Sequence, residues 1–199
     1  HVRVNPTQAI IKRLAQQRAF DHIGLAIIPH IFQTRWSILN ADVENIITRS
    51  NADAVLHLGV AARRKYISIE TIARTGSRRM LPDASGVSQA AMPAGHIEPQ
   101  HYKIAASAEQ IHAAIGHETS AVRISNNAGR YLCNGIYAKS LALRATKQEK
   151  RPTVFIHVPM LAPLSGTIPK TRIRTKPLTL DVMTRAMRAT IRVLAKQVR

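Results

Sequence analysis

The stretch SAVRISNNAGRYLCNGIYAKSLAL, residues 120–143, shows in one place how the chain is organised. SAVRIS predicts a short strand over 120–125, Ala128-Gly129 a turn, and the residues from about Tyr131 to Leu143 a helix. Just inside that helix stands Cys133, the single cysteine among 199 residues. Free cysteine is among the most buried residue types, so one reading is a small apolar residue in the core. The other is a nucleophile, because the unpaired N–H groups and dipole of a helix start favour thiolate over thiol. A nucleophile requires a base and an orienting acid elsewhere in the chain.

The same alternation of strand and helix extends outward in both directions. Asn5-Pro6-Thr7 opens a helix, with Asn as cap and Pro at the first helical position, and Ile10, Ile11 and Leu14 form its apolar face. IGLAIIP (23–29) predicts a buried strand stopped by proline, and WSILNADVENIITRS (36–50) an amphipathic helix turning Ile38, Val43, Ile46 and Ile47 inward. ADAVLHLGVA (52–61) and YISIETIA (66–73) predict two strands; 74–100, rich in Gly, Ser, Pro and Ala, predicts a long excursion or lid. A helix over 108–115, a strand TVFIHVP over 153–159 and a final helix over 179–198 complete the chain, the last with Met183, Met187, Ile191, Leu194 and Val198 as its inner stripe. Helices alternating with short apolar strands predict an α/β fold, a single-domain three-layer sandwich around a mostly parallel twisted sheet. With no repeat or linker, residues 1–199 are expected to form one domain.

Composition narrows the function classes. One cysteine excludes an internal disulfide framework and suits a reducing, cytoplasmic setting. No apolar run approaches the roughly 20 residues of a membrane span, so no membrane partner is expected. Lys and Arg number 29 against 11 Asp and Glu, a net charge of +18 that invites a nucleic-acid reading. The charges are dispersed, and aromatics make up 4%, too few for stacking platforms. A basic nucleic-acid-binding α/β module is therefore an alternative, but no specific nucleic acid is implied. His96, His101, His112 and His117 follow no metal-ligand spacing, so no metal site is expected.

Two residues can complete a nucleophilic site with Cys133: His157 near the end of the 153–159 strand, and Glu70 in the 66–73 strand. A thiol of ordinary pKa, about 8.5, is only about 3% ionised at pH 7, so a reactive one needs a partner that takes its proton. His157 could be that partner, with Glu70 fixing the imidazole tautomer. Taken singly, His157 is equally a satisfied core histidine, and Glu70 the solvent-facing member of an alternating Ile-Ser-Ile-Glu strand.

Three ordered segments sharpen the choice. SNNAGRYLCNGIY (125–137) resembles the nucleophile motif of the pyroglutamyl-peptidase I, or pyrrolidone-carboxyl peptidase, family of cysteine peptidases. FIHVP (155–159) resembles that family's histidine segment, and HLGVAARRKYISIE (57–70) its acidic segment. VRVNP and LPDASG match two further blocks, and the separations, 63 residues from Glu70 to Cys133 and 24 from Cys133 to His157, agree with the family pattern. The resemblance implies a phosphorylase/hydrolase-like α/β fold and removal of N-terminal pyroglutamate from peptides through an acyl-thioester, with Cys133, His157 and Glu70 as the catalytic triad. It also implies an oxyanion hole from backbone N–H groups of residues 130–133, and chemistry that needs no metal or organic cofactor. Lactam contacts are implied at Asn5, Val60, Leu81, Tyr131 and Leu132, with pyroglutamyl peptides as partners and a homo-oligomer, a tetramer in many members.

Some positions depart from the family pattern. Its opening strand and GFxPF-like loop would precede His1, and the sequence is read as starting after that segment, with both its absence from the protein and its omission from the sequence left open. A Gly-Gly-Arg turn becomes Ala62-Arg63-Arg64, an Asn becomes Thr75, an Asp-Ala-Arg block becomes Arg78-Arg79-Met80, and a small residue becomes His30. These changes flank the triad and keep open a second alternative, a divergent or inactive peptidase-like protein.

Overall fold

The structure, a computed structural model, describes residues 5–16, 20, 24–39, 42–75, 81–88, 101–104, 106–148, 150–161 and 178–198. Its centre is TVFIHV, strand β6 (Thr153–Val158), buried at all six positions. A strand covered on both faces must be apolar on both, as these residues are apart from Thr153 and His157. β6 lies between β1 (Val55–Val60) and β2 (Ile67–Glu70), with β5 (Val122–Ser125) beyond β2, in the order β1-β6-β2-β5. The β1–β6 and β2–β5 pairings are parallel, and the β6–β2 pairing is antiparallel. The mostly parallel α/β sheet expected from the sequence is present, with one antiparallel step at its middle.

Helices cover both faces. On one, Val154, Ile156 and Val158 of β6 join Ile67 and Ile69 of β2 and the apolar stripes of α1 (Pro6–Gln16), α3 (Ala108–Gly116) and α5 (Leu180–Gln197). Ile10, Ile111, Ile115, Met183 and Met187 there are fully buried, each contributing about 1.5–3 kcal/mol of transfer free energy. On the other face, Phe155 meets Tyr137, Ala138 and Leu141 of α4 (Leu132–Thr146). Beyond it, α2 (Asp42–Ser50) packs on α4.

Local chemistry starts these helices where the sequence predicts. Asn5 Oδ1 accepts from the Thr7 amide at 3.0 Å, ahead of Pro6. Ser107 and Thr179 cap α3 and α5 through their hydroxyls.

Four expectations are corrected. Residues 24–31 form no strand: Leu25 and Ile27 pack inward while Ile28 and Ile31 are exposed, so the period-2 pattern is kept without a ladder among the described residues. The helix predicted over 36–50 is a 3-10 turn at Trp36–Leu39 followed by α2, whose first turn places Asp42 and Glu44 at the favourable end of its dipole. The strand predicted over 66–73 divides at Thr71. There the amide and hydroxyl of Thr71 both bond Ser125 O, and the chain leaves the main sheet as β3 (Ile72–Arg74), pairing with β4 (His101–Lys103). That hairpin flanks the predicted excursion, of which residues 76–80 and 89–100 lie outside the described residues. Val198, placed by the sequence on the inner stripe of the last helix, is exposed at its C-cap.

Candidate active site

The register of the sheet decides which side chains meet. Ser68 is the Cα partner of His157 and Glu70 that of Phe155, so Glu70 stands diagonally across from His157 on the α4 face. Diagonal neighbours lie about 7–8 Å apart, within reach of long side chains. Glu70 closes that gap, and His157 Nδ1 bonds Glu70 Oε1 at 2.8 Å. Neither is solvated: Glu70 is fully buried and His157 is 5% exposed. The solvent-facing reading of Glu70 is therefore overturned, because Ile67 and Ile69 use the opposite face of β2 for the larger core. A carboxylate bonded to Nδ1 fixes the tautomer in which Nδ1 carries the proton and Nε2 is free to act as a base.

On the other flank, β1 makes room. Gly59 pairs with His157, and a Cβ there would lie 2.8 Å from the Phe155 ring and 3.0 Å from His157 Cδ2. His57, also on β1, stacks on Phe155 and bonds Ser140 through Nε2 at 2.9 Å. Ser140 spends its hydroxyl proton on Ile136 O, so His57 Nε2 donates; burial lowers the His57 pKa to about 4 and so favours the neutral ring.

The turn after β1 adds a cation. Arg64 Nη1 donates to Glu70 Oε1 at 2.5 Å, and Nη2 donates to Asn127 O at 2.8 Å. Glu70 Oε1 thus serves both Arg64 and His157, and Glu70 Oε2 is buried without a hydrogen-bond partner among the described residues. Tyr137 of α4 donates to the Glu70 backbone carbonyl at 2.9 Å.

Cys133 arrives from the strand–turn–helix segment. Gly129 takes φ +85°, a left-handed value that tolerates no side chain without strain, and Asn127 Oδ1 bonds its amide at 3.1 Å. The chain then enters α4, where Tyr131 is the N-cap and offers no side-chain cap. Cys133 is the second residue of the helix, half-buried against the cluster that contains Phe155, Tyr137 and Ala73. The expected thiolate bias is corrected: burial pushes the thiol up to about 11. Its own backbone N–H pulls the other way, and the Glu70 charge adds to the rise. Loss of solvation outweighs the helix start, so the thiol form is favoured over the thiolate at pH 7.

The residues expected to touch a lactam are spread. Tyr131 is half-buried, donates to Pro82 O at 3.1 Å and meets Trp36 edge-on; Trp36 Nε1 donates to Leu81 O at 3.0 Å. These contacts hold 81–87 beside the start of α4, with Asp83 accepting from the amides of Trp36, Ser85 and Val87 and held down at about 2, chiefly by the Ser85 hydroxyl. Leu81 is exposed, whereas Leu132 is buried with Trp36 and Ile38 and is a core residue rather than an open wall. Val60 ends β1, half-buried, one residue past Gly59, the partner of His157. Asn5 is exposed at the cap of α1, its Oδ1 bonded to Thr7.

Sequence reasoning missed Arg64, Gly59 and Asn134 as parts of the site. Asn134 grips β3 at two points, accepting from the Arg74 amide at 2.9 Å and donating to its carbonyl at 2.7 Å. Each stands inside a segment already singled out, but pattern alone does not say which neighbour of a motif residue touches it. Among the described residues no group of three His, Cys, Asp or Glu could hold a metal, and no helix is long and apolar enough to cross a membrane.

Known proteins resemble this chain over most of its length. A sequence model of the pyroglutamyl peptidase family matches residues 1–197. A pyrrolidone-carboxylate peptidase of Pyrococcus furiosus is 31% identical over 160 residues, covering 80% of this chain and 75% of the relative. Pyrrolidone-carboxylate peptidase 1 of Caldanaerobacter subterraneus is 28% identical over 97% of this chain and 91% of its own. In fold, a solved variant of the Pyrococcus furiosus pyrrolidone carboxyl peptidase superposes with a TM-score of 0.78 at 23% identity, covering 98% of this chain and 93% of that one. The chain belongs to the pyroglutamyl peptidase family of cysteine exopeptidases.

Proposed function

We propose that residues 1–199 act as one peptidase domain that releases N-terminal pyroglutamate from peptides, with Cys133 as nucleophile, His157 as base and acid, and Glu70 as the group that orients the imidazole. The observation that carries this reading is the buried 2.8 Å bond between Glu70 and His157, on the sheet face against which Cys133 packs. Because burial keeps the thiol protonated, the proton leaves as the bond forms: Cys133 Sγ attacks the pyroglutamyl carbonyl while His157 Nε2 takes the thiol proton. The tetrahedral oxyanion is held by backbone N–H groups at the uncapped start of α4, among residues 130–133. His157 gives its proton to the departing amine as the C–N bond breaks. The remaining thioester is hydrolysed by a water that His157 deprotonates, returning pyroglutamate and free thiol.

Val60, Leu81 and Tyr131 supply the wall around the lactam, Leu132 supports Tyr131 from the core, and Asn5 adds a polar contact from the end of α1. An apolar wall rejects a free α-ammonium, which would lose its hydration. The family resemblance further supports a cytoplasmic enzyme assembled as a homo-oligomer, a tetramer; sedimentation equilibrium reads that state directly.

Hydrolysis of a pyroglutamyl-aminocoumarin by the chain and by Cys133→Ala, with the prolyl compound as control, tests the reading. Release from the pyroglutamyl compound alone, abolished in the variant, supports it. No release from the folded chain, or equal release by Cys133→Ala, contradicts it.

A further inference from the structure

The guanidinium of Arg64 is the one described cation bonded to Glu70, and its second nitrogen bonds a backbone carbonyl in the loop that leads to Cys133. We propose that Arg64 is a positioning residue that couples the Glu70–His157 pair to the nucleophile loop, so that base and thiol keep one relative placement through both halves of the reaction. The inference rests on the peptidase reading above and adds a role to it.

Three observations support the coupling. Arg64 is anchored at its own backbone, its amide bonded to Ala61 O at 2.9 Å in the turn directly after β1. Its planar fork then divides between two elements that are far apart in sequence: Nη1 meets Glu70 Oε1, and Nη2 meets Asn127 O, six residues before Cys133. A guanidinium offers rigid, paired donors, whereas an ammonium is a point charge on a flexible stem. Finally, Arg64 and His157 converge on the same carboxylate oxygen, and Glu70 Oε2 has no hydrogen-bond partner among the described residues. Rotation of the Glu70 carboxyl would therefore release His157 and Arg64 together. The neighbouring Arg63 is exposed and outside this arrangement. Of the Ala62-Arg63-Arg64 turn, only the third residue reaches the site.

Kinetics of Arg64→Gln, Arg64→Lys, Arg64→Ala and Arg63→Gln on the pyroglutamyl-aminocoumarin test this. The wild-type enzyme and Cys133→Ala, run in parallel, report whether the peptidase reading itself holds. Misplacement by about 1 Å costs on the order of 10²-fold in rate. The expected result is a kcat loss of roughly that size in Arg64→Gln and about 10-fold in Arg64→Lys, with KM within about twofold. Arg63→Gln should match wild type, and guanidinium at millimolar concentration should restore part of the Arg64→Ala activity. A wild-type kcat in both Arg64→Gln and Arg64→Lys overturns the proposal. So does a loss in all Arg64 variants that tracks lowered melting temperature and is untouched by guanidinium, because that pattern belongs to a merely structural residue. If Arg64→Gln fails to fold, Arg64→Lys and guanidinium rescue still decide between these results.

Discussion

Replacing Gly59 with Ala puts a methyl group where two rings of β6 already lie. The new Cβ would stand 2.8 Å from Cε1 and Cζ of Phe155 and 3.0 Å from Cδ2 of His157. Carbon atoms rest about 3.5–4.0 Å apart, so each ring must withdraw by roughly 0.5–1 Å. Phe155 has little space to do so. It is 2% exposed and held between His57, Tyr137 and His157, with ring centroids 5.8, 5.7 and 4.8 Å away. Overpacking of this kind costs about 1–3 kcal/mol, and a displaced imidazole lowers kcat by up to about 10²-fold. Urea denaturation and kcat on the pyroglutamyl substrate measure the two effects separately. Phe155→Leu in the same background removes the larger overlap, and the pair should be non-additive by at least about 0.5 kcal/mol. A Gly59→Ala protein with wild-type midpoint and kcat, or strict additivity with Phe155→Leu, would refute the claim that Gly59 exists to seat these rings.

Alkylation of Cys133 by iodoacetamide in the free enzyme should rise about tenfold per pH unit from pH 7 to about 10, because burial holds the thiol near 11; a plateau near pH 7 would mean that a preformed ion pair overcomes desolvation. The same shift has a stability consequence. The folded-state value, about 11, lies above that of a solvated thiol, so the contribution is complete below about pH 9 and lost as pH rises through about 11. Two units correspond to about 2–3 kcal/mol. Wild type should lose that much relative to Cys133→Ala between those limits, and parallel pH–stability curves would exclude it. Asn134→Ala strands both the amide and the carbonyl of Arg74 in a part-buried site, which should cost about 1–3 kcal/mol. Chemical denaturation reads this directly, and a change below about 0.5 kcal/mol would show that Arg74 finds other partners.

Much of the architecture is legible in the chain because strand burial and helix amphipathicity are local patterns. TVFIHV is buried throughout, as a central strand must be, and the caps Asn5, Ser107 and Thr179 act within two or three residues of themselves. Strand direction is not local. Nothing in ISIE says that it runs antiparallel to its neighbour β6, yet that pairing puts Glu70 diagonal to His157. The break at Thr71 is equally hidden, since YISIETIA reads as one run until Ser125 O draws the Thr71 amide and hydroxyl. Residues 24–31 fail in the opposite sense: the inward Leu25 and Ile27 carry a strand pattern, but a ladder also needs a partner. Within the site, Cys133, His157 and Glu70 stand out by residue type and by family resemblance. Arg64 and Gly59 do not, because a charged residue in a turn and a glycine in a strand have many ordinary explanations. The thiol's environment escapes the sequence for a related reason. The helix start is visible in sequence, but the burial that outweighs it depends in part on residues far along the chain, Ala73, Tyr102 and Phe155.

The central claim is that a covalent intermediate forms on Cys133. Acid-quenched turnover of a pyroglutamyl peptide, followed by peptide mapping with mass spectrometry, tests it most directly. The account predicts one pyroglutamyl group in thioester linkage on the peptide containing Cys133, absent when hydroxylamine is added before digestion. Sustained turnover with unmodified Cys133, or an adduct on another residue, would contradict it.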